Sequence, residues 1–207
     1  MNNQSPIRLN LGCGPNKLPG FVNIDSVEAF KPDLLLDISQ PLPYPDLSVD
    51  EILADGILEH FDKYLRFIVF YEWARVLKIG GTINLSVPNL EKIVWRYFKF
   101  GFEKFTDTVF GENMLASEAY IGHFGNHKWG YSKKSLEAFV KMFGLEPIKI
   151  ETKGLVLRII GEKKRHVTQA EIDKVEIYSS ANDCGTGKAN MPVKECREKT
   201  KIFNKNR

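Results

Sequence analysis

Cysteine is scarce. Cys13, Cys184 and Cys196 are odd in number and form no Cys-x-x-Cys pair, which argues against both a disulfide framework and a cysteine-built zinc site. Long apolar runs are also missing, since no stretch approaches the roughly 18 residues that a membrane-spanning helix needs. The opening Met1-Asn2-Asn3-Gln4 lacks the basic-then-apolar pattern of a signal peptide. A soluble, cytoplasmic protein without membrane contact is the expectation. No internal repeat is present, and the formal net charge is only +3. That charge is unevenly placed, with a lysine-rich tail from Gly161 onward. No Arg/Lys stripe interleaved with aromatics accompanies it, so a solvated tail is the first reading and a nucleic-acid contact the second.

What is there suffices for one core. A chain of 207 residues, 43% of them apolar, can bury one sizeable core and is too short for two full domains. The expected division is a domain over residues 1–162 and a basic C-terminal extension over 163–207, partly helical or disordered. Ile7 to Leu11 alternates as a short strand and stops at the turn Gly12-Cys13-Gly14-Pro15. Phe21 to Ile24 reads as a second strand ending at Asp25. The link between them is shorter than a helical crossover, so the first crossover must be abbreviated. Leu34-Leu35-Leu36 and Val49 to Ala54 read as further strands ending at Asp37 and Asp55. The spacing predicts a helix from Leu58 to Lys78, closed by Gly80-Gly81, and then a strand over Thr82–Val87 broken by Pro88.

The region from Asn89 to Gly130 is too long for a simple connection, and its glycine-punctuated end is a candidate lid. Lys133 to Phe143 reads as a helix stopped by Gly144. Pro147–Glu151 and Leu155–Gly161 read as two strands whose short connector forces them antiparallel. In the tail, Thr168 and Glu171 form a capping box for a short helix with Ile172, Val175 and Tyr178 on one face. Alternating strands and helices with a closing antiparallel pair define a mostly parallel α/β sheet.

Ligands of such sheets sit outside the carboxyl ends of the strands, where Gly12-Cys13-Gly14, Asp25, Asp37 and Asp55 all fall. A glycine turn admits close approach of a ligand to the backbone, and a carboxylate ending the second strand can accept both ribose hydroxyl protons. A dinucleotide site would need a third glycine where Lys17 stands and a helix to receive the pyrophosphate. A nucleoside without phosphates suits the turn better.

Taken together, Leu9 to Pro15, Asn23-Ile24-Asp25, Asp37-Ile38, Leu58-Glu59-His60 and Val76 to Gly81 resemble the class I methyltransferases that use S-adenosylmethionine, and more narrowly the type 11 branch. The shortened link from Gly14 to Phe21 resembles a subgroup often associated with glycan biosynthesis. The resemblance covers about Ile7 to Val87. It implies a Rossmann-like, doubly wound, seven-stranded sheet with an antiparallel C-terminal strand. It further implies that Gly12, Cys13 and Gly14 lie against the methionine part of S-adenosylmethionine, with Asn10 nearby in place of a more usual acidic residue. Asp25, with Ser26 beside it, would hold the ribose, Asp37 and Ile38 would flank the adenine, and Asp55 and Gly56 would line the methionine end. Ile79 stands where a proline is usual.

The implied chemistry is direct displacement at a methyl carbon, in which the protein mainly aligns the nucleophile. For a hydroxyl acceptor a general base helps, and His127, His60, Glu59 and Tyr131 are the candidates. Glu59-His60 resembles half of the Glu-x-x-Glu-His metal motif of some small-RNA and quinone-pathway methyltransferases. Gly56 replaces its first glutamate and Asp55 is out of register, so no metal site is expected, with a divalent ion held by Glu59, His60 and His127 as the alternative. The expected acceptor is a small molecule or glycan. The alternatives are a cofactor-binding scaffold without turnover and an RNA methyltransferase that grips its substrate with the basic tail.

Overall fold

Leu9, Leu11, Ile24, Ile52, Ile83 and Leu85 recur on short strands whose side chains are buried, and they define the sheet around which the chain is built. The computed structural model describes residues 5–100, 109, 126–178, 190–192 and 194. Seven strands, β1 (Arg8–Leu11), β2 (Val22–Asp25), β3 (Leu34–Leu35), β4 (Val49–Asp55), β5 (Leu77–Pro88), β6 (Leu145–Lys153) and β7 (Val156–Lys163), lie in the order β3-β2-β1-β4-β5-β7-β6. Pairing is parallel from β3 through β5, and β7 runs antiparallel to both of its neighbours. The expected sheet and its antiparallel closing pair are therefore observed. The link between β1 and β2, residues 12–21, contains no helix, as its length required.

The helices whose bounds lie among the described residues follow the same logic of apolar faces and caps: α1 (Leu65–Val76), α2 (Leu90–Phe100), α3 (Lys133–Met142) and α4 (Gln169–Asp173). Asp62 Oδ1 accepts from the backbone N–H groups of Tyr64 and Leu65 and so opens α1. Ser132 and Ser135 form a reciprocal cap on α3, and Thr168 and Glu171 form the expected one on α4. α1 and α3 join through aromatic rings. Phe67 meets Phe139 with centroids 5.2 Å apart, and Phe70 meets Phe143 at 4.9 Å.

The helix expected over Leu58–Lys78 is shorter than its pattern. Leu58–His60 is a single 3₁₀ turn, and α1 ends at Val76. The sheet overrides the periodicity here, because Leu77 already pairs with Val49, and the N–H groups of Leu47 and Ser48 donate to the carbonyls of Arg75 and Val76. Gly80-Gly81 does not close a helix. It lies inside β5, where Gly80 takes a φ of +81° and a Cβ on Gly81 would stand 2.9 Å from the Asp50 carbonyl oxygen. β3 likewise stops at Leu35, so Asp37 lies beyond the strand it was expected to end.

The boundary expected at residue 162 falls inside packed structure. Lys163 is the last residue of β7 and is 1% exposed. Its ammonium donates to the carbonyls of Ala74 (2.5 Å) and Leu77 (2.8 Å), oxygens that the end of α1 would otherwise leave unsatisfied. Val167 and Ile172 are also buried in the core. Charge pattern marked the tail as solvated, but these three side chains anchor its first part. Tyr178, expected on the helix face with Ile172, lies instead in β8 (Glu176–Tyr178), which pairs antiparallel with β9 (Asn190–Pro192). Residues 101–108 and 110–125 of the candidate lid, and most of the tail beyond 178, lie outside the described residues. Among the described residues no helix is long and apolar enough to cross a membrane.

Candidate functional site

The turn after β1 is built by positive φ angles that glycine alone takes without cost, +64° at Gly12 and +50° at Gly14. The Cys13 N–H donates to the Ile24 carbonyl, which fastens the turn to the end of β2. Asp25, at that end, accepts from the Gly14 N–H (2.8 Å) through Oδ2 and from the Val27 N–H (2.9 Å) through Oδ1. An ionised carboxylate has about four acceptor positions, so two remain after these bonds. Nothing stands within 4 Å of where a Cβ on Gly14 would lie, and only Glu59 Oε1, at 3.7 Å, approaches the same point on Gly56. Open space thus lies over the turn and over the end of β4. Cys13 is buried, and burial pushes its thiol pKa up, so it contributes backbone rather than thiolate chemistry.

Asn10 does not face this opening. Its amide nitrogen donates to Asn23 Oδ1 (2.9 Å) and to the Asn16 carbonyl (3.1 Å), and it is 4% exposed. Its amide donors are thus engaged inside the protein. Asn23 is the hub of the helix-free crossover. It accepts from the Leu18 N–H, donates to the carbonyls of Leu18 and Phe21, and bonds Asp33 Oδ2 at 2.6 Å. Hydrogen bonds from Lys17 and Asn23 hold the Asp33 carboxyl down at about 2. Sequence reading did not single out Asn23 or Asp33; the signal available was an abbreviated crossover that needed polar groups in place of a helix. Asn23→Ala is expected to destabilise the fold by about 1–3 kcal/mol, the cost of leaving buried partners unsatisfied. Urea unfolding measures it, and an unchanged midpoint would mean that the loop is held by other contacts.

The remaining positions expected at the ligand face are distributed unevenly. Asp37 is exposed and its Oδ1 accepts from the Ser39 N–H, while the Ile38 side chain belongs to the core and leaves only its backbone to a ligand. The Leu36 N–H donates to the Asp25 carbonyl, which keeps this segment beside β2. Ser26, Asp55 and Gly56 are exposed. Gly56, at φ +67°, donates its N–H to the Ser86 carbonyl on β5.

Of the four catalytic candidates, three come together. Glu59, His60 and His127 each offer a ligating atom, and all three atoms lie within 4.8 Å of one another. The Glu59 carbonyl accepts from the N–H groups of Lys128 and Trp129, which seats the segment carrying His127 on the 3₁₀ turn. His60 and His127 meet edge to face with centroids 5.1 Å apart. Glu59 is 2% exposed, and its Oε2 has no hydrogen-bond partner. Burial, reinforced by the charge of Asp55, pushes its carboxyl up to about 8 against the pull of its own backbone N–H. It is protonated at neutral pH and is no ready base. Burial also lowers the His60 pKa, against the facing carbonyls of Asn126 and Gly56.

Tyr131 stands apart from the triad. It is fully buried beneath the Arg66 guanidinium, 5.5 Å from its ring centroid, and burial raises its phenol to about 12. A phenol held protonated inside the core is less ready as a base than the imidazoles of the triad. Beside the triad lies a cavity of about 240 Å3, lined by Pro88, Leu90, Ile93, His127 and Trp129 among others. His127 is common to the cavity and the triad.

The sheet order and the single reversed strand give a Rossmann-like, mostly parallel sheet closed by an antiparallel pair. No family model and no curated protein sequence matches this chain. Solved structures do. A protein of Pyrococcus horikoshii superposes with a TM-score of 0.55 at 17% identity, over 79% of this chain and 84% of its own. A SAM-dependent methyltransferase of Archaeoglobus fulgidus gives 0.54 at 14%, over 76% and 86%. The Burkholderia thailandensis 1,6-didemethyltoxoflavin-N1-methyltransferase, solved with its substrate and S-adenosylhomocysteine, gives 0.52 at 14%, over 77% and 72%. At these identities the shared property is the fold.

Proposed function

We propose that the chain binds S-adenosylmethionine at the carboxyl ends of β1, β2 and β4 and transfers its methyl group to a small-molecule or sugar acceptor. The observation that carries this reading is the bond from the Gly14 N–H to Asp25, which places a carboxylate with free acceptor positions beside open space over a glycine turn. Asp25 would take the ribose hydroxyls, the backbone of the glycine turn and Gly56 would border the methionine part, and the Asp37–Ile38 segment would border the adenine. The bound sulfonium supplies a methyl carbon that already carries a good leaving group. The chain's own work is then to bind and orient. The cavity beside His127 would hold the acceptor and shield it from water, and alignment of its nucleophile accounts for most of the acceleration such a transfer needs.

Calorimetric titration with S-adenosylmethionine tests the reading. Binding to the parent is expected, and Asp25→Ala should weaken it by roughly 10- to 150-fold, the worth of a hydrogen bond to a charged group at about 1.5–3 kcal/mol. A dissociation constant unchanged by the substitution would remove the ribose assignment.

A further inference from the structure

The buried carboxyl of Glu59 raises a question that methyl transfer does not answer. Its Oε2 is enclosed and has no hydrogen-bond partner, and among the described residues it is the one carboxylate oxygen in that state, beside the unpartnered atoms of Tyr64, Trp73, Asn84 and Tyr131. Across from it stand two imidazoles, and the ligating atoms of all three side chains lie within 4.8 Å of one another. The Asn126 carbonyl accepts from His60 Nδ1 at 3.2 Å, the kind of outer contact that fixes the tautomer and orientation of a ligating histidine. His127 comes from a separate segment, held in place by the N–H groups of Lys128 and Trp129 on the Glu59 carbonyl.

We propose that Glu59, His60 and His127 form a binding site for a divalent transition-metal ion, with zinc the best match to two imidazoles and one carboxylate. Nitrogen and oxygen donors in this ratio favour zinc and its neighbours over calcium or magnesium, which take oxygen ligands. Ligand distances of about 2.0–2.2 Å put neighbouring ligands of a tetrahedral ion roughly 3.4 Å apart, so the three side chains close inward by no more than about 1.4 Å. Three protein ligands leave a fourth position. Because His127 also lines the cavity, that position suits an oxygen or nitrogen of a molecule lodged there. The motif half carried by Glu59-His60 would be completed by His127, distant in sequence, and not by position 56.

The test reads the ion in the full-length protein, without reference to methyl transfer. The chain is stripped with chelator, incubated with zinc, passed through gel filtration and analysed for bound metal; a parallel sample takes cobalt, whose visible ligand-field bands report coordination. One zinc per chain is expected in the parent. His127→Ala and the near-isosteric Glu59→Gln should each weaken binding by more than the about 10- to 100-fold typical of lost outer contacts. No zinc retained by the parent, or zinc retained by both variants as fully as by the parent, would overturn the site. Calorimetry with S-adenosylmethionine on stripped protein keeps the two readings apart, since each can fail while the other stands.

Discussion

A chain ending at Glu162 is expected to lose most of its stability, whereas one ending at Val175 should keep the thermal midpoint of the parent. The first cut removes Val167 and Ile172 from the core, and burying each such side chain is worth about 1.5–3 kcal/mol. The two together give about 3–6 kcal/mol, against the roughly 5–15 kcal/mol by which a whole domain is stable. The same cut strips Lys163 from the carbonyls of Ala74 and Leu77, which water can then reach, so the aliphatic loss decides the outcome. The second cut keeps all three side chains and removes only β8, β9 and the residues around and beyond them. Paired urea titrations measure the difference. Equal midpoints for the two truncations would mean that the domain does end at residue 162.

Gly12→Val should destabilise the fold by about 2–5 kcal/mol and abolish ligand binding at the turn. Two costs add. The left-handed φ of +64° costs an L-residue about 1–2 kcal/mol, more for a β-branched one. A Cβ there would also stand 2.7 Å from Ile57 Cγ1, 2.8 Å from Cδ1 and 3.3 Å from Cβ, and overpacking of this kind costs about 1–3 kcal/mol. Rotation of the isoleucine can move Cγ1 and Cδ1 but leaves its Cβ in a tight contact at 3.3 Å. Gly14→Ala is the contrasting variant: φ is again positive, but no neighbour lies within 4 Å, so stability should fall by only about 1–2 kcal/mol. The added methyl instead occupies the space offered to a ligand, and affinity should fall more than stability does. If Gly14→Ala bound S-adenosylmethionine as the parent does, the open space over the turn would not be the binding site.

Where the sequence was legible, the information was local. Glycines at a strand end, a connector of two or three residues and a Thr-x-x-Glu cap each act within a few positions, so the turn, the β6–β7 hairpin and the start of α4 could be read directly. The misplaced features depend on partners far along the chain. Gly80-Gly81 resembles a helix stop until Leu77 is seen paired with Val49, and the lysine-rich tail looks solvated until Lys163 is found on the end of α1. Asp25 stood out in the sequence because a carboxylate closing a second strand has few other uses. The bond from Asn10 to Asn23 could not be read, because the two residues belong to different strands. The gathering of Glu59, His60 and His127 spans more than sixty residues, and no spacing rule connects them.

The position of β7 bears on how the chain reaches this fold. β5 pairs with it through residues 82–88, and its partner residues 156–162 come only after α2, the candidate lid, α3 and β6. During synthesis the apolar edge Ile83-Asn84-Leu85-Ser86-Val87 therefore emerges long before the strand that covers it. Pairings so distant in sequence form slowly, because the intervening loop must close before any contact rewards it. An uncovered strand edge is also a template for pairing with other chains. A nascent or heat-stressed molecule is thus most exposed to aggregation at β5, and refolding yield should fall with protein concentration more steeply than native stability alone would suggest.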